Sequence, residues 1–300
     1  MEFAKLAEMA TQLGFAKIGA CSTSAFEAQK ELVDSQPTLK ERAQLRFAPQ
    51  EDDPQSSALV VMLWPYAPVP LPAQENEVFV DSYYAASNAA YHAAKRLEED
   101  LENKGYLARA NVSYPAKAAA VRAGLGVIGH NGLLITPEYG TRVVIILMLT
   151  DAVEADVLRD SAEVGSCLQC RRCAAACSSG AIDAKGMSHP ERCLRNFMME
   201  GVVVPEESRE AMGMRLIGCD QCQRVCPMQK TAEQPRETAY VLDALMTAEP
   251  AQFSYKKHFK RIIVQGGEKG NEDEYIGNVR RRIFTSVDRD AAIVDGQSYL

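Results

Sequence analysis

Cys167-Leu-Gln-Cys170-Arg-Arg-Cys173-Ala-Ala-Ala-Cys177 is the stretch whose reading decides how this chain folds. Cys193 follows it, and then Cys219-Asp-Gln-Cys222-Gln-Arg-Val-Cys226-Pro227. Eight of the nine cysteines lie in these runs. A [4Fe–4S] cube needs four thiolates, and in two-cluster ferredoxins the fourth cysteine of such a run ligates the other cube. The spacing therefore predicts one cluster on Cys167, Cys170, Cys173 and Cys226, and a second on Cys177, Cys193, Cys219 and Cys222. Transfer of single electrons is the chemistry these ligands imply. Pro227 stops the helix behind the last ligand and matches the Cys-Pro ending of bacterial ferredoxin runs. A disulfide framework belongs to short secreted chains, and zinc knuckles leave the three-cysteine run unexplained. Cys21 stands apart in Lys17-Ile-Gly-Ala-Cys21 and reads as a buried packing thiol.

Working outward, 300 residues with 47% hydrophobic and 24% charged content suffice for a sizeable core in one large domain or two modest ones. The net charge of −7 argues against generic nucleic-acid binding. No apolar run approaches the roughly 18 residues of a membrane span. The start of the chain lacks the pattern of a signal peptide or twin-arginine leader, and thiolate clusters favour a reducing compartment. A cytoplasmic protein with no membrane partner is expected.

Phe3, Leu6, Met9 and Leu13 recur at helical spacing, so residues 2–13 are expected to be a helix. Residues 15–21, 58–64, 106–112 and 142–150 read as strands. Residues 87–104 and 115–124 read as helices, the first with Ala90, Leu97 and Leu101 inward and Gly105 as its cap. The stretch 34–57 is expected to be irregular. Alternation of helices and apolar strands predicts an α+β fold. Its parts would be a core domain over 1–155, a ferredoxin-like double-cluster module over 156–230, and a short helical tail over 231–300 that begins at Val241, Leu242, Leu245 and Met246.

Gly124-Leu-Gly126-Val-Ile-Gly129 has the letters of a dinucleotide fingerprint but follows a helix instead of a strand, and position 149 is Leu where an acid is wanted. The glycines are better read as permitting close approach of a flat ligand or another chain segment. Among the histidines, His92 sits within a helix and His189 and His258 lie in the cluster module and the tail. Only His130, beside Asn131 in the glycine turn, is placed in a site. Tyr255-Lys-Lys-His-Phe-Lys-Arg261 reads as a solvated face rather than a nucleic-acid contact.

Beyond these residues, the chain resembles the epoxyqueuosine reductase family, the cobalamin-dependent relatives of reductive dehalogenases, over most of residues 5–260. The likeness is carried by Leu13-Gly-Phe-Ala-Lys-Ile-Gly19, Tyr91-His92, Pro115-Ala-Lys117-Ala-Ala-Ala-Val-Arg122-Ala-Gly-Leu-Gly126-Val-Ile-Gly129, His130-Asn131-Gly132, Thr141-Arg142-Val143 and both cysteine runs. The resemblance implies a nitroreductase-like α/β domain holding a corrinoid, beside a ferredoxin-like module. Electrons from an external flavodoxin- or ferredoxin-type donor would pass through the clusters to the corrinoid, and tRNA would present epoxyqueuosine as the substrate. By position it places Arg46, Lys117, His130, Asn131, Leu134, Arg195 and Asp220 at the corrinoid, with the three cations serving its amides and phosphate.

Two departures stand out. The family's acidic proton donor is missing, because the matching stretch is Ala110-Asn-Val-Ser-Tyr-Pro115 and no Asp or Glu occurs from Asn103 to Pro137. Tyr114 is the expected substitute, with a nearby cation lowering its pKa. The helical-repeat extension of longer relatives also looks shortened. The rival readings are a two-cluster electron carrier that docks a partner enzyme without a corrinoid, and a redox-sensing scaffold.

Overall fold

The computed structural model describes residues 1–35, 45–71, 77–160, 164–187, 189–197, 208, 211–213, 215–230 and 240–241. The chain divides into two compact units. The first comprises 1–66, 86–170 and 227–232, and the second 67–85, 171–226 and 233–300. The units therefore interleave along the chain.

The first unit is built on a four-stranded antiparallel sheet ordered β1-β2-β7-β4, with β1 Lys17–Cys21, β2 Ala58–Pro65, β4 Ala108–Ala110 and β7 Val143–Thr150. Register is set by Cys21 opposite Leu59, Ala58 opposite Thr150 and Ala110 opposite Met148. Residues 58–63 of β2 are all fully buried. A strand buried on both faces must be apolar at every position, which is why β2 reads as an unbroken hydrophobic run. On one face Leu59, Val61 and Leu63 join Leu147, Leu149, Cys21 and Tyr114 in a single core cluster. Burying each such aliphatic side chain is worth about 1.5–3 kcal/mol.

Helix α1, Phe3–Gln12, buries Leu6 and Ala10 as its periodicity requires. In the excursion between β1 and β2, two helices appear that the sequence did not announce, α2 Glu27–Asp34 and α3 Pro49–Asp52. Polar residues dominate both, so neither carries an apolar stripe. Helix α4, Tyr83–Glu102, turns Ala90, Leu97 and Leu101 fully inward, as expected. Helix α5, Ala116–Arg122, starts behind Pro115 and presses Ala119 and Ala120 onto the core cluster. The fingerprint-like glycines then lead into the hairpin β5–β6, Val127–Ile128 with Leu134–Ile135. A Cβ on Gly126 would lie 2.3 Å from the Ile135 carbonyl oxygen, so the close approach is to another strand.

In the second unit β3, Glu77–Val80, pairs in parallel with β8, Arg215–Ile217, and antiparallel with β9, Tyr240–Val241. Val241, expected in a tail helix, is thus in a strand, because β3 offers an edge whose ladder bonds it completes. The rest of the expected tail, including His258 and the 255–261 stretch, lies outside the described residues. Short helices α6 Arg172–Ala175 and α8 Gln221–Arg224 carry Cys173 and Cys222, and α7 Leu194–Phe197 directly follows Cys193. Among the described residues no helix is long and apolar enough to cross a membrane.

Candidate functional site

Cys222 lies on α8, three residues beyond Cys219. Its buried thiol has Cys219, Cys193, Cys177 and Cys173 as electrostatic neighbours, and burial together with those neighbours pushes its pKa far up. Cys219 is pushed to about 11, chiefly by burial, with Cys193 again a neighbour. The second unit therefore places Cys173, Cys177, Cys193 and Cys219 around Cys222, which joins the four thiols that spacing groups in one set with one thiol of the other set. Such a crowd cannot ionise alone, since each thiolate opposes the next. Positive iron among them removes that obstacle, so the donor set suits an iron–sulfur group. Among the described residues no three His, Cys, Asp or Glu side chains converge on a single metal ion. A cube spreads its thiolates more widely than one ion does, because iron and sulfide stand between them.

Gly218, at φ +83°, precedes Cys219, and a Cβ there would strike the Cβ of Asp81 at 2.3 Å, so only glycine admits this path. Asp220 caps α8 without exposure and accepts from Arg224 Nε at 2.8 Å, while Arg224 also donates to the Val69 carbonyl. Arg195 lies over the Tyr83 ring at 4.3 Å and near that of Tyr84. Asp220 and Arg195, assigned by resemblance to a corrinoid, are thus engaged within their own unit. His189 stands 3.4 Å from Glu191 and 3.7 Å from Asp183.

Cys167 and Cys170 end the first unit, whereas Cys173 and Cys226 belong to the second. The His130 amide donates to Cys167 Sγ at 3.5 Å, and His130 Nδ1 lies 3.2 Å from Gln169 Oε1. Gln169 and Arg171 have φ of +52° and +57°. Left-handed backbone is costly for such residues, roughly 1–3 kcal/mol each. Alternating handedness aims successive N–H groups at one point, the nest that anionic iron–sulfur groups occupy.

The remaining residues singled out by resemblance gather around the start of α5. Lys117 Nζ donates to the Gly132 carbonyl at 2.6 Å, which ties α5 to the His130-Asn131-Gly132 turn. Asn131 is 2% exposed. Its Oδ1 accepts from Leu133 N at 3.2 Å, while its Nδ2 has no partner among the described residues. Leu134 packs in the core cluster that contains Tyr114. Tyr114 donates to Asp52 Oδ2 at 2.9 Å. Its pKa is pushed up to about 12 by burial and then by Asp52, and Arg46, which lies beside it, only partly opposes the rise. The expectation of a lowered pKa is therefore corrected: the cation is present, and burial with the carboxylate outweighs it. His92 is exposed on α4. Cys21 is fully buried and its thiol is pushed to about 12, as a packing residue should be.

Asp52 was missed because it lies in the polar excursion, 62 residues before its partner, with no motif around it. Gln229 was missed as well. Its side chain accepts from Thr141 Oγ1 at 2.9 Å and donates to the Tyr139 carbonyl, fixing the turn that precedes β7.

Residues 166–229 match the 4Fe-4S double cluster binding domain, which spans both cysteine runs. An epoxyqueuosine reductase of Bacillus subtilis is 27% identical over 252 residues, covering 75% of this chain and 63% of that protein. The chain is similar in sequence to epoxyqueuosine reductases. Its match thus spans somewhat under two thirds of that relative's length. The fold agrees. The structure of the Bacillus subtilis enzyme with its catalytic aspartate loop swung out superimposes with a TM-score of 0.72 at 22% identity, covering 98% of this chain and 83% of that one. An epoxyqueuosine reductase solved with an epoxyqueuosine-modified tRNA-Tyr stem loop gives 0.71 at 21% identity, with the same coverage.

Proposed function

We propose that the chain is an iron–sulfur reductase of the epoxyqueuosine reductase type. It takes single electrons from a flavodoxin- or ferredoxin-type donor through two [4Fe–4S] clusters, and it acts on epoxyqueuosine borne by tRNA. The observation that carries this reading is the crowding of Cys173, Cys177, Cys193 and Cys219 around Cys222 in a chain similar to these enzymes. The second cluster takes those four ligands, and the first takes Cys167, Cys170, Cys173 and Cys226. We assign the first 155 residues a nitroreductase-like character and a corrinoid.

The residues present fit a corrinoid in donor chemistry. Asn131 holds a buried amide whose Nδ2 lacks a partner among the described residues, suited to an acceptor on a ligand. Arg46, Lys117 and Arg195 are cations suited to amide and phosphate oxygens. His130, Leu134 and Asp220 complete the assigned set, His130 through its turn and Leu134 through the apolar wall. When bound, the corrinoid supplies a reduced metal centre able to remove oxygen from a substrate. The chain's own part is to hold that group, to exclude water with the apolar residues around Leu134, and to deliver protons, for which Tyr114 is the residue assigned.

The test is anaerobic. Protein reconstituted with iron and sulfide, then given cobalamin, should show the base-off cobalt(II) spectrum and should reduce an epoxyqueuosine anticodon stem-loop. Clusters without cobalamin binding would instead favour an electron carrier for a partner enzyme.

A further inference from the structure

Tyr114 stands just before α5 with 3% of its surface exposed, and its hydroxyl donates to Asp52 at 2.9 Å. Asp52 closes α3 and is itself exposed to solvent. Arg46 is held nearby, its amide donating to the Ser113 carbonyl at 2.8 Å, and its guanidinium reaches the same hydroxyl. A path thus leads from bulk water through a carboxylate to a buried phenol, with a cation at its side. The segment that carries Tyr114 has no acid of its own from 103 to 137. The carboxylate comes from a distant part of the chain, and only the fold places it there. Lys117 follows Tyr114 by one helical turn and reaches the Gly132 carbonyl, while Leu134 shares the core cluster of Tyr114. Of the residues assigned to the cofactor, Arg46 reaches the phenol itself and Leu134 shares its core cluster.

We propose that Asp52 and Tyr114 form a proton-delivery pair, Asp52 drawing protons from solvent and Tyr114 passing them to the oxygen that leaves the substrate. The inference rests on the reductase reading above. Removing an epoxide oxygen breaks two C–O bonds, consumes two electrons from the external donor through the clusters, and releases the oxygen as water with two protons. For each proton delivered, the Tyr114 O–H bond breaks as a new O–H bond forms on the departing oxygen. The phenolate then recovers a proton through Asp52, which is reloaded from water. Arg46 stabilises the phenolate while it lasts. A phenol held near 12 keeps its proton at neutral pH and yields it only to a strong base, which a departing alkoxide is.

Two measurements test the pair. In cofactor-free protein with ring-labelled tyrosine, NMR titration with Tyr114→Phe as the assignment control should show the Tyr114 ionisation moving to lower pH in Asp52→Asn. An unmoved ionisation overturns the coupling. In loaded enzyme, Tyr114→Phe should lower kcat by roughly 10²–10⁴-fold, the span of general acid catalysis, with KM and cluster reduction by dithionite unchanged. Asp52→Asn should lower kcat less and shift the pH–rate profile, and Asp52→Glu should restore it. Wild-type turnover that neither Tyr114→Phe nor Asp52→Asn impairs overturns the relay alone. A wild type that binds both cofactors yet reduces no epoxyqueuosine overturns the reading of function on which the relay rests.

Discussion

Arg224 shows how a single residue near a proposed cluster ligand can matter without being one. It pairs with Asp220, which has no exposure, and simultaneously holds the Val69 carbonyl. Arg224 is partly exposed, so losing its charge-assisted hydrogen bond to Asp220 costs about 1.5–3 kcal/mol. Arg224→Ala should therefore destabilise the protein by that order in chemical denaturation, and it should weaken retention of the cluster we assign to Cys219 and Cys222. Cys21 permits a second prediction. Its thiol ionises near pH 9.0 when free and at about 12 in the fold, because burial disfavours the thiolate. Between those values the native state holds a proton that the unfolded chain has lost, so this contribution is fully present below pH 9.0 and is lost as pH rises through the folded value. In cofactor-free protein, Cys21→Ala should show a flatter alkaline decline of stability than wild type. An identical decline would deny the thiol that role. Neither Arg224 nor Asp52 was singled out from the sequence for the partner it has, since a charged residue's partner depends on which loops the fold brings together.

At the scale of elements, the sheet and the longer helices were legible and the short connectors were not. Val143–Thr150 and Ala58–Pro65 announced themselves because a strand covered on both faces has no polar positions to disguise it. Tyr83–Glu102 was legible from the spacing of Ala90, Leu97 and Leu101. Glu27–Asp34 was invisible because it buries nothing, and Tyr240–Val241 because a two-residue strand exists only through the edge it joins. The glycine segment was read correctly as a close approach, though the segment approached, Ile135, could not be foreseen. Two substitutions measure these elements. Leu63→Ala, inside β2, should cost about 2–5 kcal/mol in equilibrium unfolding. Gly126→Ala forces a methyl group against backbone at 2.3 Å and should cost about 1–3 kcal/mol, without altering the cysteine runs.

For the whole molecule, iron should matter most to residues 171–226, which hold six of the eight cysteines that make up the two runs and Cys193. The first unit has a continuous apolar core around β2, and in the second a cluster on Leu194 and Met212 has Cys219 packed against it. Stripping the iron anaerobically should therefore raise hydrogen exchange in residues 171–226 while leaving the amides of β2 and β7 protected. Equal loss in both units would contradict that division. The metal count itself is the most direct measurement. Oxygen-protected protein reconstituted with iron and sulfide should hold about eight irons per chain, with the Mössbauer signature of [4Fe–4S] cubes, and a Cys222→Ala variant should fall to about four. Zinc in place of iron, or a wild type that saturates at four irons, would contradict it.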